Sequence, residues 1–213
     1  MSGGRRHLAR ALVAAGPVLY FAWLLGTQIR ADWPVWTDPR FDLETALALV
    51  AAAYLALQLG TYWRKPPPIL SRADWRAVVA TAVAIDALGL SLSQPVTQPD
   101  AAALALGFTL TGTGLAFWSV WHLGRSFSLL PQARHLVTTG PYRYVRHPIY
   151  LGGLLITIGE VWLRFSAAAL LLNVIFIAAQ VVRLRYEEAL LSQAFPEYAA
   201  YRERTSALIP GIA

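Results

Sequence analysis

The chain contains no cysteine. Disulfides, thiolate nucleophiles and cysteine metal sites are therefore excluded. Charge is also scarce. Only 14% of the 213 residues are Asp, Glu, Lys or Arg, while 56% are hydrophobic, and the mean hydropathy is positive. That composition belongs to a membrane protein rather than to a soluble core. Internal repeats are absent, and so are low-complexity tracts beyond alanine-rich helix. A cleavable signal peptide is not expected. Arg5, Arg6 and Arg10 precede an apolar run too long for a signal core, with no small-residue cleavage motif behind it. The net charge of +6 could suggest nucleic acid. In a chain this compatible with lipid, basic loops at the cytoplasmic face account for it better, and no nucleic-acid partner is expected.

A membrane-spanning helix needs about 20 apolar residues. The apolar runs predict spans near 11–29, 43–63, 75–93 and 101–121, then two shorter ones near 148–163 and 166–182. The fold expected is an all-α integral membrane bundle of about six transmembrane helices, the last two forming a short hairpin. The basic residues set its orientation. With six spans both termini share one side, and that side collects 15 of the 18 Lys and Arg residues. Arg30, Arg40 and Arg164 are left for the other side. This asymmetry puts both termini, and the loop before the fifth span, in the cytoplasm. The connections agree. Trp33, Pro34 and Trp36 suit an outer interfacial belt. Pro66-Pro67-Pro68 makes a stiff elbow. Ser71 to Asp74 resembles a capping box for the third span.

Chemistry concentrates in one segment. His135 to Tyr150, with Arg134 before it, holds three arginines, two histidines, three tyrosines, one glycine and two prolines between apolar runs. His147-Pro148 predicts a helix start, because proline is well tolerated in a first turn. Free N–H groups and the positive dipole end would face the cytoplasmic loop. Arg143, Arg146 and His147 crowd the same point; charge alone suits equally a site for an anionic group such as a carboxylate or phosphate and a positive-inside loop touching lipid headgroups. Tyr150 falls on that first turn. Beyond the last apolar run come Arg183, Glu187 and Glu188, with Arg183 and Glu187 on one helix face. Acids at a helix C-terminus oppose the macrodipole, which argues mildly for a purpose. Tyr198 and Tyr201 lie on an amphipathic tail helix that either rests on the interface or lids a pocket.

Other polar features have plainer readings. Gly112-Thr-Gly114 has no preceding strand and no third glycine, so close helix packing is expected rather than dinucleotide binding. Asp86, deep in the third span, is expected to face the bundle interior, because a charge in lipid is costly. Glu160 and Arg164 are expected to form an interfacial ion pair.

Together these residues resemble the isoprenylcysteine carboxyl methyltransferase and phospholipid methyltransferase superfamily, as a prokaryotic-type member. The resemblance runs from His122 to Pro210. It rests on the ordered set from His135 through Gly140-Pro-Tyr142 and Arg146-His-Pro-x-Tyr150 to Gly152. A helical hairpin follows, then Arg183-x-x-x-Glu187-Glu188, Tyr198-x-x-Tyr201 and Leu208-Ile-Pro210. Residues 1–121 would be four N-terminal spans and 122–213 the catalytic region. The resemblance implies a methyltransferase that uses S-adenosylmethionine in a cytoplasmic pocket of a cell's inner membrane. Cofactor contacts would come from His135, Gly140, Tyr142, Arg146, His147, Pro148, Tyr150, Glu187 and Glu188. Arg183 would lie near the methyl acceptor and act with Glu187 in catalysis. The acceptor implied is a lipophilic molecule entering from the bilayer, with a carboxylate favoured over an amine or a thiol. Ala194-Phe-Pro196 and Thr205-Ser206 depart from the family pattern. A sterol-type reductase and a non-catalytic membrane protein of the same fold are the competing readings.

Overall fold

The computed structural model describes residues 68–71, 75–92, 94–128 and 130–211. These belong to one compact unit, Gly60–Ala213. The spans predicted near 11–29 and 43–63, most of the triple-proline elbow, and residues 72–74 of the capping box lie outside the described residues.

Five helices carry the described fold. They are α1 (Trp75–Leu92), α2 (Ala102–Leu123), α3 (Pro148–Leu163), α4 (Ala167–Ala194) and α5 (Tyr198–Arg204). By length and composition, α4, α1 and the Pro99–Ser126 segment containing α2 are suited to cross a membrane. A short antiparallel ribbon pairs β1 (Leu70–Ser71) with β2 (Gln132–Ala133) beside the loop that precedes α3.

The helices associate as two antiparallel pairs. Lipid supplies no hydrophobic drive between them, so close backbone approach and hydrogen bonds must hold them. In the α2–α3 pair the approach rests on glycine. Gly112 and Gly152 face each other, and a Cβ on Gly152 would stand 2.6 Å from the Gly112 carbonyl oxygen. About two turns further along, Gly159 sits against Ala105 and Thr109. Gly112 thus has the packing role its sequence predicts, whereas Gly114 faces open space. In the α1–α4 pair, Ala84 and Ala87 pack on Phe176 and Ala179. Asn173 Nδ2 adds a hydrogen bond to Ser91 Oγ at 2.9 Å.

Asp86 corrects the expectation made for it. It lies on the exposed face of α1. The small residues Ala77, Ala80, Ala84 and Ala87 recur at helical spacing and are buried, so they determine which face packs.

The hairpin keeps its expected first arm, but the helix of its second arm is longer than the span predicted there. α3 has 16 residues, but α4 has 28 and runs twelve residues past its apolar part. At 1.5 Å per residue these are about 24 and about 42 Å long. Counting apolar residues stops at Val182, yet no glycine or proline interrupts the helix before Phe195. Arg183, Glu187 and Glu188 therefore project from a continuous helix. Ser166 caps its start, accepting from the Ala169 N–H at 3.1 Å. At the same end Arg164 donates to Glu160 at 2.9 Å and also to the Gln94 carbonyl. The expected ion pair is present, and both of its side chains are buried. The Thr97 and Gln98 N–H groups bond the Leu163 carbonyl. This end of the bundle is thus stitched shut, and the polar loop lies at the other.

Gly152→Ala is expected to lower stability by about 1–3 kcal/mol through overpacking against Gly112. Gly114→Ala, with open space around it, should be neutral or slightly stabilising. Thermal unfolding of the two variants in detergent checks the contrast.

Candidate functional site

The site is built where the loop before α3, the charged half of α4 and the tail meet. α3 begins at Pro148, as the His147-Pro148 pair predicts, and Arg146 and His147 immediately precede it. The loop reaches this point through a turn at Gly140–Arg143. Gly140 has φ +61, a left-handed conformation that favours glycine, and a side chain there would run into the His122 ring. Of the three tyrosines, Tyr142 turns inward and is buried. Tyr144 is exposed, with the Arg143 guanidinium over its ring at 5.3 Å.

The tail is fastened to this loop by main-chain and side-chain bonds. The Arg146 N–H donates to the Ser206 carbonyl at 2.9 Å and the His147 N–H to that of Ala207 at 3.0 Å. Tyr201 Oη donates to the Tyr142 carbonyl at 2.6 Å. The Arg146 side chain donates from Nη1 to the carbonyls of Arg202, at 3.1 Å, and Thr205. A cation thus meets the C-terminal carbonyls of α5, which suits the helix dipole. The departures at Thr205 and Ser206 are absorbed locally. Thr205 Oγ1 donates to the Tyr201 carbonyl at 2.7 Å, and Ser206 Oγ accepts from Gly211 at 2.9 Å.

The two adjacent glutamates have different surroundings, because neighbours on a helix point about 100° apart. Glu188 Oε1 accepts from Arg146 Nε at 2.8 Å, His147 Nε2 at 3.2 Å and Tyr198 Oη at 3.4 Å. An ionised carboxylate can only accept, so Nε2 of His147 carries the proton. Glu187 faces a cavity and accepts from Tyr150 Oη at 2.9 Å. The His147 ring meets the Tyr150 ring edge-on at 5.4 Å, and the Arg183 guanidinium lies 5.6 Å from the Tyr150 ring centre.

Seven of the predicted residues line this cavity: His135, Tyr142, Arg146, His147, Tyr150, Arg183 and Glu187. Gly140, Pro148 and Glu188 do not. Gly140 shapes the turn, Pro148 starts α3, and Glu188 binds the wall together. Arg146 reaches the cavity but is committed to Glu188 and the tail carbonyls. Sequence reasoning missed the wall formed by residues 126–128 and 130–132, where no charged group marks a role. It also missed Gln180, which lines the cavity and accepts from Arg183 Nη1 at 2.6 Å. Gln180, Arg183 and Glu187 fall at i, i+3 and i+7, and that spacing could have drawn attention to a polar residue in an apolar run.

Residues 101–198 match the family described as phospholipid methyltransferase. Curated relatives include the nickel-cobalt-cadmium resistance protein NccN of Alcaligenes xylosoxydans xylosoxydans, 34% identical over 64% of this chain and 62% of its own. The cobalt-zinc-cadmium resistance protein CzcN of Cupriavidus metallidurans is 34% identical over 49% of this chain and 46% of its own. The protein-S-isoprenylcysteine O-methyltransferase of Schizosaccharomyces pombe is 33% identical over 50% of this chain and 48% of its own. The matched stretches thus span about half to three-fifths of the relatives' lengths. The family match takes in the loop, the hairpin and both glutamates, so it covers every residue that faces the cavity from these elements.

Arg146→Met is expected to release the tail, because it strips Glu188 and two carbonyls of a charged donor. A cost of at least about 2 kcal/mol follows. Faster trimming by carboxypeptidase and a lower unfolding temperature would register it. Burial pushes the Tyr201 phenol up to about 12. It pushes the Tyr198 phenol further, with the Glu188 charge adding to it. Folding therefore favours the protonated phenols. Their contribution to tail docking is full below the ordinary phenol value of 10.0 and falls as pH rises through about 12. An ultraviolet tyrosinate titration should show a late component that is smaller in Tyr201→Phe.

Proposed function

We propose that the protein is an integral membrane methyltransferase that uses S-adenosylmethionine and methylates a lipophilic carboxylate at the cytoplasmic face of the inner membrane. The observation that carries this reading is the gathering of Glu187, Tyr150, His147 and Arg183 around one cavity, within a stretch of the phospholipid methyltransferase family. The isoprenylcysteine O-methyltransferase of S. pombe, a relative over half the chain, supports an acid acceptor.

The donor set fits the cofactor. An amino-acid head group needs acceptors for its ammonium and donors for its carboxylate, and ribose needs both. Glu187 takes one hydrogen bond, from Tyr150, while a carboxylate can accept about four. Its remaining capacity suits an ammonium or ribose hydroxyls. His135 and the first turn of α3 supply the donor side, with Arg146 adding positive charge from the wall. Arg146 and Glu188 act chiefly by holding the loop, α4 and the tail in register. When bound, the cofactor supplies a methyl group on a positively charged sulfur.

The rest of the task falls to this chain's side chains, and it is positioning. Oriented reactants gain roughly 7–11 kcal/mol over free encounter. A carboxylate acceptor arrives ionised and needs no general base. Arg183, fixed beside Tyr150, orients it. The buried Tyr198 and Tyr201 of the tail line the cavity and take the place of water along that wall, which strengthens electrostatic contacts there. An apolar acceptor would reach the cavity from the bilayer, since drawing its chain through water costs about 25 cal/mol per Å².

The family description favours a second reading, a phospholipid amine as acceptor. That reaction must lose a proton, with Glu187 as the base. The Arg183 charge beside the cavity disfavours a cationic amine, and the carboxylate is preferred for that reason. A thiol acceptor of the same fold faces the same need for a base.

Calorimetry with S-adenosylhomocysteine tests the reading. The wild type should bind, and Glu187→Ala should bind about ten- to a hundredfold more weakly, the loss of one charged hydrogen bond. Labelled methyl should pass to lipophilic acids in preference to matched amines and thiols. A folded wild type that binds no S-adenosylhomocysteine would overturn the proposal.

A further inference from the structure

The apolar half of α4 contains two amide side chains. Asn173 is accounted for by Ser91. Gln180 is not needed for packing between α1 and α4, because it lines the cavity instead. A polar side chain at this depth of an apolar helix is a candidate for function.

Its orientation follows from chemistry. A guanidinium has five N–H donors and no acceptor. The atom of Gln180 that meets Arg183 Nη1 must therefore be Oε1, as the 2.6 Å contact has it. Nε2 then points the other way. It lies toward Gly153 of α3, where a Cβ would stand 3.7 Å from it. An alanine at 153 would meet that amide in ordinary van der Waals contact. Gln180 thus holds Arg183 from one side while the Tyr150 ring lies under the guanidinium on another. Tyr150 is in turn tied to Glu187. The four side chains form one continuous wall from the apolar part of α4 to its charged end.

We infer that Gln180 is a positioning residue for methyl transfer: its carbonyl oxygen sets the direction in which Arg183 presents its charge to the acceptor. This inference rests on the methyltransferase reading for its consequence, but the contact itself does not. A free arginine side chain samples many rotamers, so removing the acceptor atom should loosen Arg183 and weaken its hold on an acceptor carboxylate. Cofactor binding, which depends on Glu187 one turn further on, should be unaffected.

The test uses the full-length protein in detergent, as wild type, Gln180→Leu and Gln180→Glu. Arginine-labelled nitrogen NMR reads rotation of the guanidinium, with Arg183→Lys identifying the signal. The wild type should show slowed rotation at Arg183. Gln180→Leu should lose it, and Gln180→Glu, which keeps an oxygen at the same reach, should restore it. S-adenosylhomocysteine affinity should stay within about twofold in Gln180→Leu. With a prenylated-cysteine carboxylate as probe, KM should rise about tenfold in Gln180→Leu with a smaller change in kcat. Unchanged Arg183 rotation in Gln180→Leu would overturn the inference, whether or not the wild type methylates the probe. So would a loss of S-adenosylhomocysteine affinity as large as the rise in KM, which would mark Gln180 as general support. If the wild type methylates no carboxylate but Arg183 is released in Gln180→Leu, the acceptor assignment fails while the positioning contact stands.

Discussion

The Glu188 carboxylate is the point on which the candidate site depends. One oxygen accepts from Arg146 and His147 of the loop and from Tyr198 of the tail, and its own backbone belongs to α4. The loop, α4 and the tail are joined there. Arg146 extends the junction by donating to carbonyls at the end of α5, and the tail backbone answers by accepting from the Arg146 and His147 N–H groups. A half-buried carboxylate is favourable only with several donors. The same requirement that neutralises Glu188 therefore also assembles the wall.

The position of that wall along the bundle is set elsewhere. Glycines at 112, 152 and 159 let α2 and α3 approach to backbone contact, which fixes where the N-terminus of α3 emerges. The bonds from Thr97, Gln98 and Arg164 close the opposite end of the hairpin. A rigid closed end and a polar open end leave the cavity as the place where chemistry can occur. Its floor is the first turn of α3 and one side is α4, on which Gln180, Arg183 and Glu187 stand in line.

Much of this was legible in the sequence, for reasons that can be named. Proline is well tolerated in a first turn, so His147-Pro148 pointed to a helix start, and basic residues ahead of it marked the loop. Gly112 could be assigned to packing because no strand precedes it. The limits were equally physical. Adjacent glutamates read as one feature in a sequence, whereas a helix sends them in different directions and gives them different jobs. The extent of α4 was misjudged because hydropathy ends at Val182 but helical hydrogen bonding does not. Asp86 was expected inside on the cost of its charge, yet the alanine stripe of α1 decided the packed face. Gln180 went unnoticed because an uncharged amide in an apolar run carries no signal until its partner is seen.

The central claim is that the cavity between the loop and the charged half of α4 is where the cofactor binds. Ultraviolet crosslinking of radiolabelled S-adenosylmethionine to the full-length protein, followed by peptide mapping, tests it most directly. The account predicts label within residues 135–150 or 180–191, competed by S-adenosylhomocysteine. Competed label confined to other peptides would contradict it.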